Sequence, residues 1–178
     1  MSLVSRVEAE DLPEDLAAIY RRYVTSYGDF ANQAAALAHV PEAVRHIMPM
    51  LMEMKAAARV KPRHLELVLV AVSQLNACHY CVAHHAPKLQ VTGLSAAGVE
   101  RLLDFADHPE LDAVDKLIVE YAACVTRDAN RVPTRVTKAM RAHFSEAQMV
   151  ELTFRIALTT FFNKFTEALQ VEEESVPA

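Results

Sequence analysis

Only three glycines occur in 178 residues. Tight hairpin turns need residues that accept positive φ, and glycine is the usual one. With so few, a hairpin-rich sheet and a Gly-rich phosphate loop are both excluded, while Ala, Leu, Val and Glu are plentiful. The fold class this implies is all-α. Hydrophobic residues make up 52% of the chain, yet no apolar run reaches the ~18 residues of a membrane span. The N-terminus lacks the basic-then-apolar plan of a signal peptide. A cytoplasmic protein with no membrane partner is therefore expected. The net charge of −5 and the scattered Lys and Arg residues argue against a nucleic-acid partner, which would require a positive field. The length suits one domain over residues 1–178 with a sizeable core.

Helix punctuation divides the chain. Asp11-Leu12-Pro13-Glu14, Pro41, Pro62, Ser95, Asp112, Pro133 and Ser145-Glu146 each sit where a helix can start. Pro49 removes a backbone donor from the helix begun at Pro41 and should kink or split it. The run Leu65–Val72 is apolar nearly all round except for Glu66, so that helix is buried in a core or against another subunit. The next helix is expected from His79 to Gln90, stopped near Gly93. Ser95 should cap one that carries Val99, Leu102, Leu103 and Phe105. Residues 172–178 lack a core face and are expected to fray.

The chemistry-bearing residues are Glu66, Cys78-His79-Tyr80-Cys81 and His84-His85. On one continuous helix Glu66 and Cys78 would lie roughly 18 Å apart. An antiparallel pair turning near Asn76-Ala77 instead sets Glu66 within one turn of His85. A buried carboxylate needs a partner, and His85 is the nearest. Cys81 and His85, four apart, share a helix face. Position alone leaves open which cysteine attacks. Cys78 is nearer the helix N-terminus, where the dipole favours thiolate, but Cys81 has a base at i+4. A base acting directly outweighs a modest dipole difference, which favours Cys81 as nucleophile and Cys78 as resolving thiol.

The pattern Glu66-(eleven residues)-Cys78-x-x-Cys81-x-x-x-His85 resembles the alkylhydroperoxidase D-like branch of the carboxymuconolactone decarboxylase-like superfamily. Arg63-x-x-Glu66-Leu67, Asn76-Ala77-Cys78-x-Tyr80-Cys81, His84-His85 and Leu94-Ser95 agree with it, most closely over about residues 40–125. Phe162-Asn163-Lys164-Phe165 resembles the last helix of the family more weakly. The resemblance implies a compact helical fold assembled as a trimer or hexamer, and a peroxidase that reduces a hydroperoxide at the expense of a dithiol or protein electron donor. Catalytic roles carry over to Glu66 and His85 as proton relay, Cys81 as the residue that becomes a sulfenic acid, and Cys78 as the one that closes the disulfide. One departure is Tyr80, which stands where well-known members have a histidine.

Other readings compete. Cys78, Cys81 and His84 or His85, with His79, would supply zinc ligands, but structural zinc motifs usually place the second ligand pair farther along the chain. No cofactor and no resident metal is expected. A redox-sensing or scaffolding helical oligomer, or a decarboxylase-type enzyme, are the alternatives to peroxidase. His84 reads as a polar or packing residue beside the site, and His79 as an exposed first-turn residue rather than a second base. Cys124 reads as a small buried apolar residue, and the Met48–Met54 cluster as core and subunit interface.

Overall fold

The computed structural model describes residues 2–174, so the expectation for 175–178 lies outside the described residues. Among the described residues there are helices and turns and no strand. The helices are α1 (Glu14–Ser26), α2 (Ala31–Leu37), α3 (Pro41–Ala57), α4 (Pro62–Leu75), α5 (His79–Val91), α6 (Ala96–Glu100), α7 (Ala113–Asp128), α8 (Thr134–His143) and α9 (Glu146–Ala168). None of them is long and apolar enough to cross a membrane. The described residues divide into two compact units, one of residues 2–58 with 166–174 and one of residues 59–165, the boundary falling inside α9.

In the first unit α1 packs on α3. Leu16, Ala17, Tyr20 and Tyr23 form the buried stripe of α1, spaced for one helix face, and Val44, Met48, Leu51 and Met52 that of α3. Pro49 does not split α3, which runs unbroken from Pro41 to Ala57. The Tyr27 hydroxyl donates to the Leu51 carbonyl at 2.9 Å. Residues 171–174 carry no regular structure, but the Asn32 amide donates to the Glu174 carboxylate at 2.8 Å and its side chain to the Glu172 carbonyl at 3.0 Å.

The second unit is built on α4. Leu67, Val68, Val70, Ala71 and Val72 are fully buried, and α5 and α7 are the helices most heavily packed on α4. The apolar run thus finds its cover inside the chain, not on another subunit. Ile118 from α7, Met140 from α8 and Leu152 and Ile156 from α9 complete the same core. At about 25 cal/mol per Å² of apolar area, each large aliphatic side chain so buried contributes on the order of 2 kcal/mol. Ser95 caps α6 by accepting the Gly98 amide at 2.9 Å. That helix ends at Glu100, however, and Leu102–Asp107 tighten into a 3-10 turn in place of the longer helix expected. Asp104 breaks helical geometry there. Buried His108 then pins the segment back, its Nε2–H donating to the Gly98 carbonyl at 2.8 Å and its Nδ1 accepting the Glu110 amide at 3.2 Å.

Arg63 fastens the start of α4. Its guanidinium meets the buried Asp115 carboxylate at 2.8 Å and donates to the carbonyls of Thr92 at 2.9 Å and Glu110 at 3.1 Å. The fork geometry of arginine suits such a three-way tie. The far end of α5 is thereby tied to the start of α4, which fixes the pitch of the helix pair.

Candidate active site

The α4–α5 pair is an antiparallel hairpin of helices. At its closed end the Cys78 amide donates to the Ser73 carbonyl at 2.9 Å. Nearer its open end His85 Nδ1 meets Glu66 Oε2 at 2.8 Å, nineteen residues apart in sequence. Ala77 turns the chain between the helices with φ of +53°, a left-handed conformation unusual for a residue with a Cβ. Such a conformation costs about 1–2 kcal/mol, so the surrounding bonds must hold it.

Cys78 is the N-cap of α5, with extended backbone at φ −88° and ψ 97°. Its sulfur accepts the Cys81 amide at 3.3 Å. A sulfur in this place sits on the orphan amides and the positive end of the helix dipole, where thiolate is favoured. Both cysteines are buried, Cys78 at 0% exposure and Cys81 at 3%. His85 follows Cys81 by one helical turn.

The Glu66 and His85 side chains are 15% and 17% exposed, so the pair is mostly sheltered from water. A carboxylate can only accept, which makes Nδ1–H the donor and selects the tautomer with a basic Nε2. His84 takes no part in that contact. Its Nδ1–H donates to the Tyr80 carbonyl at 2.6 Å, and its ring packs on the Tyr80 ring with centroids 4.2 Å apart. His79 is exposed at the first turn. Among the described residues no group of three or more His, Cys, Asp and Glu side chains has the geometry to hold a metal ion.

Cys124 is half-buried, not wholly buried as its apolar neighbours suggested, and burial pushes its thiol pKa up. An open depression of about 480 Å³ lies elsewhere. Lys116, Leu117, Glu120, Arg135 and His143 from α7 and α8 are among the residues that line it, and none of its lining comes from α4 or α5.

The sequence pattern did not reveal what secures the hairpin turn. Asn163, fully buried on α9, accepts from Asn76 Nδ2 at 3.0 Å and donates to Ser73 Oγ at 3.1 Å. The signal available was an Asn in the interior of an aromatic-rich helix, a position that asparagine disfavours on propensity alone.

Residues 41–107 match the carboxymuconolactone decarboxylase family, a stretch that contains Glu66, Cys78, Cys81 and His85. The chain is 24% identical over 130 residues to the uncharacterized protein YdfG of Bacillus subtilis (strain 168), covering 72% of this chain and 88% of that one. A solved alkylhydroperoxidase AhpD core, an uncharacterized peroxidase-related protein from Ralstonia eutropha JMP134, aligns with a TM-score of 0.78 at 19% identity, over 98% of this chain and 93% of that one. The debrominase Bmp8 aligns with a TM-score of 0.79 at 15% identity, over 98% of this chain and 94% of that one. At these identities the structural likenesses establish the fold. The chain thus carries a segment, residues 41–107, that matches the carboxymuconolactone decarboxylase family, within a fold shared with the solved alkylhydroperoxidase AhpD core.

Proposed function

We propose that this protein is a thiol-dependent peroxidase in which Cys81 attacks a hydroperoxide, Cys78 resolves, and Glu66 and His85 relay the proton. The observation that carries this reading is the 2.8 Å contact from Glu66 to His85, one turn beyond Cys81, on the helix that Cys78 caps. His85 Nε2 takes the Cys81 proton, and Glu66 holds the ring and offsets the charge it gains. The thiolate displaces alkoxide from the hydroperoxide: the O–O bond breaks, an S–O bond forms, and sulfur is oxidised by two electrons. The imidazolium returns the proton to the leaving alkoxide, giving an alcohol and a sulfenic acid. Cys78 then attacks Cys81, forming the disulfide and releasing water. An external dithiol restores both thiols and leaves as its own disulfide.

Steady-state reduction of hydrogen peroxide and an alkyl hydroperoxide with a dithiol donor tests the reading. Turnover by the wild type, abolished in Cys81→Ser, is expected. Sulfenic acid should be trapped on Cys81 in Cys78→Ser. Trapping on Cys78 in the wild type would overturn the assignment of roles.

The likeness to a debrominase favours one second reading, the reductive removal of bromine from an aromatic ring. Two thiols and an aryl bromide would give the disulfide, the debrominated ring and hydrogen bromide. Bromide release from 2,3,4-tribromopyrrole without peroxide turnover would select it.

The protein is further proposed to act as a homo-oligomer, with α9 as the contact. On that helix Glu151, Arg155, Thr159 and Asn163 are buried beside Leu152 and Ile156, whereas Val150, Phe154 and Phe161 are 68%, 41% and 45% exposed. With Ala157, these apolar residues recur at intervals of four, three and four, the seam of a helix that packs on a second helix.

A further inference from the structure

Asn163 is bonded by its side-chain amide to Ser73 and Asn76, at the end of α4 where the turn to the cysteines begins. Oδ1 accepts from Asn76 Nδ2 at 3.0 Å, and Nδ2 donates to Ser73 Oγ at 3.1 Å. Asn76 has a second, longer contact to Thr160 Oγ1 at 3.4 Å, one turn before Asn163 on α9. Ser73 and Asn163 both have 0% exposure. Burying an amide is costly unless it is hydrogen-bonded, and here both ends of it are spent on the turn.

The two anchored residues lie at the end of α4, directly ahead of the strained link. Ser73 accepts the Cys78 amide through its carbonyl at 2.9 Å, and Ala77 sits at φ +53° between Asn76 and Cys78. Cys78 in turn places its sulfur on the Cys81 amide at 3.3 Å. The position of one sulfur relative to the other is thus set by a backbone segment that Asn163 clamps from a different helix.

We propose that Asn163 is a positioning residue for the cysteine pair, setting how readily the Cys78 and Cys81 sulfurs join. It acts through Ser73 and Asn76. Joining removes two electrons and two protons from the thiols and brings the sulfurs to about 2.05 Å. A turn already held in place loses little freedom at that step, in the way that preorganisation favours any ring closure. Releasing the clamp gives freedom back to the dithiol and shifts the equilibrium towards it. This rests on the reading of Cys78 and Cys81 as a redox pair, but its test needs no peroxide.

The test equilibrates the full chain in buffers of oxidised and reduced dithiothreitol, quenches it, and measures the Cys78–Cys81 disulfide by mass mapping. Asn163→Ala is expected to shift the equilibrium about tenfold towards the dithiol, which is about 30 mV for a two-electron couple. Ser73→Ala, which loses one arm of the clamp, should shift it about threefold in the same direction. Met140→Ala is a core truncation on another helix. It should lower thermal stability and leave the midpoint within twofold of wild type, separating positioning from general loosening. If Asn163→Ala does not fold, Ser73→Ala and Asn76→Ala carry the test. Midpoints within twofold of wild type in the folded clamp variants, or a shift of equal size in Met140→Ala, overturn the proposal. A wild type that forms no disulfide in oxidising buffer overturns the redox reading itself and this inference with it. A wild type that does, with unshifted variants, removes only the role of Asn163.

Discussion

Replacing Glu66 by glutamine isolates the charge in the proposed relay. The glutamine oxygen can still accept from His85 Nδ1–H, so ring orientation and tautomer are kept while the counter-charge is lost. The contact is 2.8 Å, with the two side chains 15% and 17% exposed, short and sheltered enough to be charge-assisted. Hydrogen bonds to charged groups contribute about 1.5–3 kcal/mol. Residual exposure screens the pair and places the effect towards the lower end of that range. At about 1.4 kcal/mol per decade, the loss is on the order of 10-fold to 30-fold in the rate at which Cys81 forms sulfenic acid. His85→Ala removes the base itself and should cost more, on the order of 100-fold.

The assay is stopped-flow mixing with hydrogen peroxide in the Cys78→Ser background, trapping sulfenic acid on Cys81 from pH 6 to 10. An ordinary thiol has a pKa near 8.5 and is only a few per cent ionised at neutral pH. Raising the pH lets hydroxide do the deprotonation, so the gap between Glu66→Gln and the parent should narrow towards high pH. A Glu66→Gln rate equal to the parent at pH 7, or a deficit that stays constant across the range, would refute the relay.

Three further outcomes are expected. Burial lowers the His64 pKa despite the opposing pull of Asp115, so below about pH 6.5 the unfolded chain takes up a proton that the folded one resists. Stability should fall as pH drops through that value and level off below the folded pKa. His64→Gln should flatten that part of the slope in denaturant titrations at pH 7.5 and 5, and an unchanged slope counts against it. Asp112 caps α7 by accepting the Val114 and Asp115 amides at 2.8 Å. Asp112→Ala should cost about 1 kcal/mol, seen calorimetrically as a melting point lower by roughly 2–4 °C. Phe154→Glu places a charge in the exposed seam of α9 and should lower the mass found by sedimentation without loss of helicity. An unchanged mass would remove α9 as the contact.

Helix starts were legible because local chemistry dictates them. Pro41, Pro62 and the Ser95 and Asp112 caps all mark observed ends, as each satisfies or forgoes an orphan amide without help from elsewhere. The meeting of Glu66 and His85 was legible too, since reflecting the chain about a short turn is a matter of arithmetic along one hairpin. What stayed hidden depends on distant partners. The 3-10 turn after Glu100 follows from His108 reaching back to Gly98 and Glu110. Pro49 sits inside an unbroken α3, its missing donor tolerated. Asn163 lies about ninety residues from the serine it holds, and no local pattern announces that bond. Of the two covers open to the apolar run of α4, residues 67–72 have the core of their own chain, and α9 carries three of the exposed large apolar residues, Val150, Phe154 and Phe161.

Under the proposed thiol chemistry the same turn would face two opposing demands. Forming the disulfide profits from a Cys78 held still, and Asn163, Ser73 and the Cys78 amide hold it. Reducing the disulfide requires a donor sulfur to approach one of the pair in line, yet Cys78 and Cys81 are 0% and 3% exposed. A small hydroperoxide would have less to displace in reaching a buried sulfur than a dithiol or a protein donor, for which the turn would have to open. Ala77 is the exposed residue of that turn, and it holds strain that opening would release. Loosening the clamp should therefore speed reduction by a bulky donor while it weakens closure. Under the proposed chemistry Asn163 would balance two half-reactions: a clamp that binds the turn more tightly would trap the protein oxidised, and one that binds it less would leave the sulfenic acid unresolved.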